Sequence, residues 1–286
     1  MWSALQTSPL FRLPRLIWRA AARFVAHQGV IFSSHVAMSL MLALFPFVLF
    51  VVALAGELSS GFDPDELTDL LFSAWPPEVS QPLIREISAV LAADNTSLMT
   101  VGGMLALYFA SNGVEAVRVA INAAYRDEDS RPFWRNRLIS LVFVALGSAV
   151  IVLGLTLGLG LPTYLRYLPD TVPEALSRWM SNGFLQRAVP GILLIFAVSA
   201  FHIWLPARRR ALSVIWPGVA LTIVLWIIAV SGFSRYIASF ADYSATYAGL
   251  AGAMSALIFL YLLAAILILG AEFNGVLERE KSGAEA

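Results

Sequence analysis

The sequence predicts an all-α fold, a polytopic transmembrane helical bundle of about six spans with both termini in the cytoplasm. Three observations predict it. The chain is 59% hydrophobic and only 13% charged, with a mean hydropathy of +0.76, whereas soluble domains carry about 25% charged residues. The shortage of charge is spread along all 286 residues, so the chain is one integral membrane domain and not a soluble domain with an anchor. No run alternates at the ten-residue spacing of a barrel strand, and lipid leaves only helices as the other way to satisfy a spanning backbone.

The spans follow from the gaps between formal charges at 24–56, 95–114, 138–165, 188–207, 211–234 and 243–271. About 20 apolar residues cross the hydrocarbon core as a helix. Spans are therefore expected at roughly 31–56, 98–121, 138–161, 188–206, 212–234 and 246–271. Upstream of the first, residues 10–27 predict an amphipathic helix lying on the inner leaflet. Arg12, Arg15, Arg19 and Arg23 form one stripe, and Phe11, Leu16, Trp18, Phe24 and Val25 fill much of the remaining surface. The same arginines serve equally as an ordinary topology signal.

Orientation comes from arginine placement. The N-terminal stripe, the group Arg126, Arg131, Arg135 and Arg137, and the run Arg208–Arg210 fall on one side. Residues 57–94 fall on the other, with Arg85 alone against Glu57, Asp63, Asp65, Glu66, Asp69, Glu78, Glu86 and Asp94. That stretch predicts an acidic extracytoplasmic helical loop, with one helix starting at Ser80-Gln81-Pro82 and another over 65–75. A further short helix is expected around Leu176, Trp179 and Met180. Gly154 and Gly158, and Gly249, Gly252 and Ala256, are small residues for close helix packing.

Ionisable groups inside spans are functional candidates by default, because each costs several kcal/mol unless paired or hydrated. The primary substrate or transport candidates are Glu115, Arg118, Asn122, Arg126, Glu272 and Asn274. Asn112, His35, His202 and Pro46 are secondary, the proline as a possible kink. The topology brings His35, Glu115, Arg118, His202 and Glu272 to the cytoplasmic ends of their helices. Convergence in one polar pocket is expected there, with Arg118 and Arg126 as partners for Glu115 and Glu272. A lock between helix ends explains the same residues without any pocket.

Cysteine is absent, which excludes disulfides, thiolate metal sites and a cysteine nucleophile. No P-loop, GxSxG, HExxH or dinucleotide motif occurs. His27, His35 and His202 lie on separate segments, without metal-ligand spacing. The expectation is a non-enzyme with no cofactor and no metal. A formal net charge of zero gives no argument for nucleic acid.

Three stretches carry a resemblance. Ser39 to Phe47 resembles a first-helix motif; Asn122 to Arg126 with Arg131 to Arg135 resembles a basic loop; Gly270 to Asn274 resembles a last-helix signature. Together these are similar to the YihY/BrkB family of bacterial inner-membrane proteins, over about residues 15–280. The resemblance implies six spans and an inner-membrane, multi-pass location. An old ribonuclease BN label, a virulence association, and links to lipid or cation transport also attach to that family. The expected function is a transporter or translocation factor for an envelope lipid or other amphipathic solute, with anionic lipid headgroups of the inner leaflet as partners. A cation/proton exchanger, and a non-transporting scaffold for envelope assembly with a protein partner or a homo-oligomer, are the alternatives.

Overall fold

The computed structural model describes residues 9–58, 68, 72, 75–91, 99–155, 184–238 and 248–282. Their regular elements are eight helices: α1 Pro9–Ala26, α2 Gly29–Leu58, α3 Pro77–Leu91, α4 Met99–Tyr125, α5 Phe133–Leu155, α6 Phe184–Trp204, α7 Leu212–Ala238 and α8 Ala248–Ser282. The fold is all-α, and the chain is a helical membrane protein. By length and composition, four of the described stretches can cross a bilayer: Gly29–Val48, Phe133–Gly154, Leu212–Ile237 and Gly252–Lys281. The other two helices at expected spans differ from these. Helix α4 is long but carries Ser111, Asn112, Glu115, Arg118 and Asn122 in its second half, and α6 has a shorter apolar stretch, Gly191–Trp204.

Helix α8 is the axis of the bundle, packing against α1, α2, α3, α4 and α7, while α2 and α4 make the most extensive pair. The central core joins Val36 of α2, Ile121 of α4, Val198 of α6, Ile215 and Val219 of α7, and Leu267, Ile268 and Ala271 of α8. The perimeter is apolar as well. Leu42, Leu146, Leu153, Ile192, Ile227, Ile228 and Met254 are all more than half exposed. A helix that is hydrophobic on every side belongs in lipid. Trp18, Trp134, Trp204 and Trp216 are exposed at the arginine-rich end, the place of tryptophan at a membrane–water interface.

Several expectations about local structure change. Helix α3 begins at Pro77 and not at Ser80: Val79 and Ser80 donate their N–H groups to Pro76 O at 2.9 and 3.0 Å, and proline suits a first helical position because its N–H is not needed there. Thr68 and Phe72 are helical, while the rest of 65–74, the group around Trp179, and Gly158 lie outside the described residues. Helix α1 packs on α8 through Leu16, Ala20, Phe273 and Val276 and leaves Leu13, Trp18 and Val25 exposed. The small residues pack within the chain: a Cβ at Gly154 would meet Leu193 of α6 at 2.6 Å, and Ala256 sits among Val79, Phe233 and Phe259. Pro46 lies inside α2.

The tightest helix crossing joins α7 to α8. A Cβ at Gly218 would stand 2.2 Å from Gly270 O, and one at Gly270 would stand 2.1 Å from Thr222 Oγ1. These contacts are with backbone or a short side chain, so nothing flexible can yield. Gly218→Ala is therefore expected to destabilise the folded protein by roughly 1–3 kcal/mol through overpacking. Gly147, where a Cβ meets nothing within 4 Å, should accept alanine with little effect. Thermal unfolding of both variants in detergent, read by size-exclusion chromatography, checks the contrast.

Candidate functional site: a polar layer at the arginine-rich end

The layer is organised by the chain that leaves α4. Asp127 N donates to Asn122 O at 2.9 Å and Arg126 N to Ala123 O at 3.2 Å, a Schellman closure of the helix. Arg126 holds the left-handed position with φ 59°, where glycine is the usual residue. The turn sends Asp127 and Asp129 back toward the bundle and leaves the Arg126 side chain exposed. Arg126 therefore pairs with neither Glu115 nor Glu272, contrary to expectation.

Three groups of side chains result. In the first, Arg118 reaches Glu115 with Nε and Nη2 at 3.0 and 2.5 Å and also donates to Asp129. Asp129 accepts from Arg131 Nε and Nη2 at 2.8 and 3.0 Å and from the Arg131 backbone N–H at 3.1 Å. Arg131 also donates to Leu205 O at 3.0 Å, and Asn122 Oδ1 accepts the Ala207 N–H at 2.7 Å, so this group fastens α4 to the end of α6. Two carboxylates face two arginines, and the group is neutral. Burial alone would push the Asp129 carboxyl up. The Arg131 side-chain and backbone hydrogen bonds, with the charges of Arg131 and Arg118, outweigh it and hold the carboxyl below the usual carboxylate range.

The second group centres on Asn274 of α8. Its Oδ1 accepts the Gly218 N–H at 2.7 Å, and its Nδ2 donates to Ile215 O at 2.9 Å and to Tyr125 Oη at 3.1 Å. These partners fix the amide orientation. The Tyr125 hydroxyl also makes a hydrogen bond of 2.9 Å with His202 Nδ1. Arg210 lies 3.8 Å over the Tyr125 ring. It grips Asp127 with two hydrogen bonds of 2.6 and 3.1 Å and donates to Glu278 at 3.0 Å. Burial works against the Arg210 charge, and the two carboxylates outweigh burial and raise its pKa. In the third group Glu272, fully buried, accepts from Arg23 Nε at 3.1 Å and lies 2.6 Å from His27 Nδ1. This fixes α1 to α8.

The expected single pocket is thus three packed groups. Glu115, Arg118 and Asn122 share the first, His202 and Asn274 the second, and Glu272 stands in the third. His35 joins none of them; it faces outward from α2. Asn112 has a different neighbour, accepting from Arg137 Nη1 at 2.7 Å, while Arg137 Nη2 donates to Tyr108 O at 2.8 Å and its guanidinium lies 3.8 Å over the Tyr108 ring. Asp127, Asp129, Arg131 and Arg210 went unrecognised as site residues because they lie in connections. The signal that marked them was the density of charge in those connections. Among the described residues, no group of three or more His, Asp or Glu is placed to hold a metal ion.

A multi-pass helical bundle with a charged, ion-paired layer at one end defines a class of integral membrane protein. The chain belongs to the family described as Virulence factor BrkB, which matches residues 20–286. It is 30% identical to a Bacillus subtilis (strain 168) protein named ribonuclease-like protein YfkH, over 91% of this chain and 94% of that protein. It is also similar to UPF0761 membrane proteins of Alteromonas mediterranea, at 25% identity over 85% of this chain and 80% of that one, and of Pseudoalteromonas translucida, at 23% over 90% and 84%. No solved structure matches. The protein is a multi-pass protein of the bacterial inner membrane.

Asp129→Asn removes one partner of a part-buried ion-pair group in which Arg118 keeps Glu115, and should cost roughly 1–2 kcal/mol at neutral pH. The folded carboxyl has a lowered pKa, so its contribution is present above the ordinary carboxylate range and is lost as pH falls through the folded value. Wild type and variant should differ in thermal stability near pH 7 and converge as the medium is acidified below about pH 4.

Proposed function

We propose that the protein is a translocation factor for an anionic envelope lipid or similar amphiphile, which enters sideways between α4 and α5 in the inner leaflet half. The reading takes six spans, with both termini and the arginine-rich end in the cytoplasm. One observation carries it. A partly exposed polar cluster joins these helices, formed by Asn112 and Glu115 of α4 and Arg137 and Ser140 of α5. Glu115 keeps 26% of its side chain exposed, against 1% for Glu272, and Ser140 Oγ donates to Glu115 Oε2 at 3.0 Å. Met104, Tyr108, Asn112 and Val119 are exposed along the same stripe of α4. Among the described residues no carboxylate is in ion-pair contact with Arg137, and its Nε–H has no hydrogen-bond partner. A guanidinium held by Asn112, Tyr108 O and the Tyr108 ring, with no carboxylate in ion-pair contact, can still take an anionic oxygen.

The closed state of Glu272, ion-paired to Arg23 and in hydrogen-bond contact with His27, favours a second reading, the non-transporting scaffold, in which the layer only locks helices together. A cation/proton exchanger is a third, and predicts ion flux with no lipid substrate. A ribonuclease-like name describes the Bacillus relative; here the carboxylates of the layer are engaged by arginine, and we read the chain as a non-enzyme.

Vesicles of phosphatidylglycerol and phosphatidylcholine with a fluorescent phosphatidylglycerol report translocation. Wild type is expected to accelerate it, and Arg137→Met and Glu115→Gln to slow it about tenfold or more, the worth of one hydrogen bond to a charged group. Normally inserted variants that transport as wild type does would overturn the assignment. No acceleration by wild type would favour the scaffold.

A further inference from the structure

A second surface on the far side of the layer has a different chemistry. Val214 and Pro217 of α7 and Leu277, Glu278 and Lys281 of α8 line a groove of about 310 Å³. Three of its five walls are apolar, and its rim is charged. Glu278 is already engaged by Arg210, at 3.0 Å. Lys281, the single lysine of the chain, is exposed, and among the described residues no carboxylate lies within ion-pair distance of it. Of the two charged lining residues, Lys281 is thus the one left open to an anionic group. Trp216 is exposed in the same turn of α7, which places the groove at headgroup level.

From this we infer that the α7–α8 groove docks an anionic phospholipid, its phosphate at Lys281 and the first part of its acyl chain along Val214, Pro217 and Leu277. The volume lies at the low end of ligand sites, roughly 300–1,000 Å³, so the groove holds the headgroup end of one lipid and leaves the tails in the bilayer. Charge decides the occupant: an anionic headgroup neutralises Lys281 without bringing a further cation to it. The turn behind the groove is the one that Asn274 clamps at Ile215 and Gly218, so an occupant rests on fixed backbone. The groove lies apart from the α4–α5 cluster, and the inference does not rest on transport.

Native mass spectrometry of the full chain in detergent tests it, with phosphatidylglycerol, phosphatidylcholine and glycerol phosphate as probes. Wild type should retain phosphatidylglycerol in preference to phosphatidylcholine, and glycerol phosphate alone should bind far more weakly. Lys281→Gln and Val214→Trp should each weaken phosphatidylglycerol binding about tenfold, Lys281→Arg should keep it, and Leu153→Trp, on a helix that does not border the groove, should leave it unchanged. Retention as in wild type by both Lys281→Gln and Val214→Trp would overturn the site. Glycerol phosphate binding as tightly as the lipid, or a change of oligomeric state in Val214→Trp with lipid binding intact, would overturn the lipid as occupant. Loss of translocation in vesicles with groove binding intact removes the α4–α5 reading alone.

Discussion

The constraint on which the rest depends is that a charge inside a helix bundle must meet its opposite there. Arg118 stands in the second half of α4, nearly closed off from solvent. A lone guanidinium in that position is costly enough to exclude the fold. Two carboxylates answer it, Glu115 from the turn before and Asp129 from the connection that follows. Meeting that need bends the chain back at Arg126, and the bend then carries Asp127 to Arg210 and Arg131 to the end of α6. One buried arginine thus determines how four segments meet.

The same rule operates on the backbone of α7. Pro217 removes an N–H within the helix, and polar groups near such a site need partners from elsewhere when water is absent. Asn274 adds side-chain partners in that turn, accepting from Gly218 N and donating to Ile215 O. The amide reaches that backbone because Gly218 and Gly270 have no side chains to hold the helices apart. Asn274 is thereby committed to structure. Tyr125 and His202 complete its hydrogen bonds and link α4, α6, α7 and α8 in one buried chain.

Polar groups that remain partly open have a different status. Glu115 and Arg137 lie between α4 and α5, where exposed apolar side chains on both helices mark the lipid side. Lys281 lies between α7 and α8 at the exposed tryptophans. The buried pairs set the shape, and these open groups carry the proposals made for an amphiphile. They sit on different helix pairs: Glu115 and Arg137 on α4 and α5, Lys281 in the groove of α7 and α8.

By itself, the sequence determined the helical membrane class, because charge gaps of span length leave a lipid-embedded backbone no other way to satisfy itself. It singled out Glu115, Arg118, Asn122, Glu272 and Asn274 because polar residues in apolar runs stand out. Tertiary structure decided their partners. Arg23 and His27 reach Glu272 across 249 and 245 residues, and no periodicity within one helix records such a contact. Arg126 is lost to the site because a single backbone angle turns it outward, and His35 because its face of α2 meets no other helix. Pairing across a bundle is settled by which faces pack, and that depends on all the helices at once.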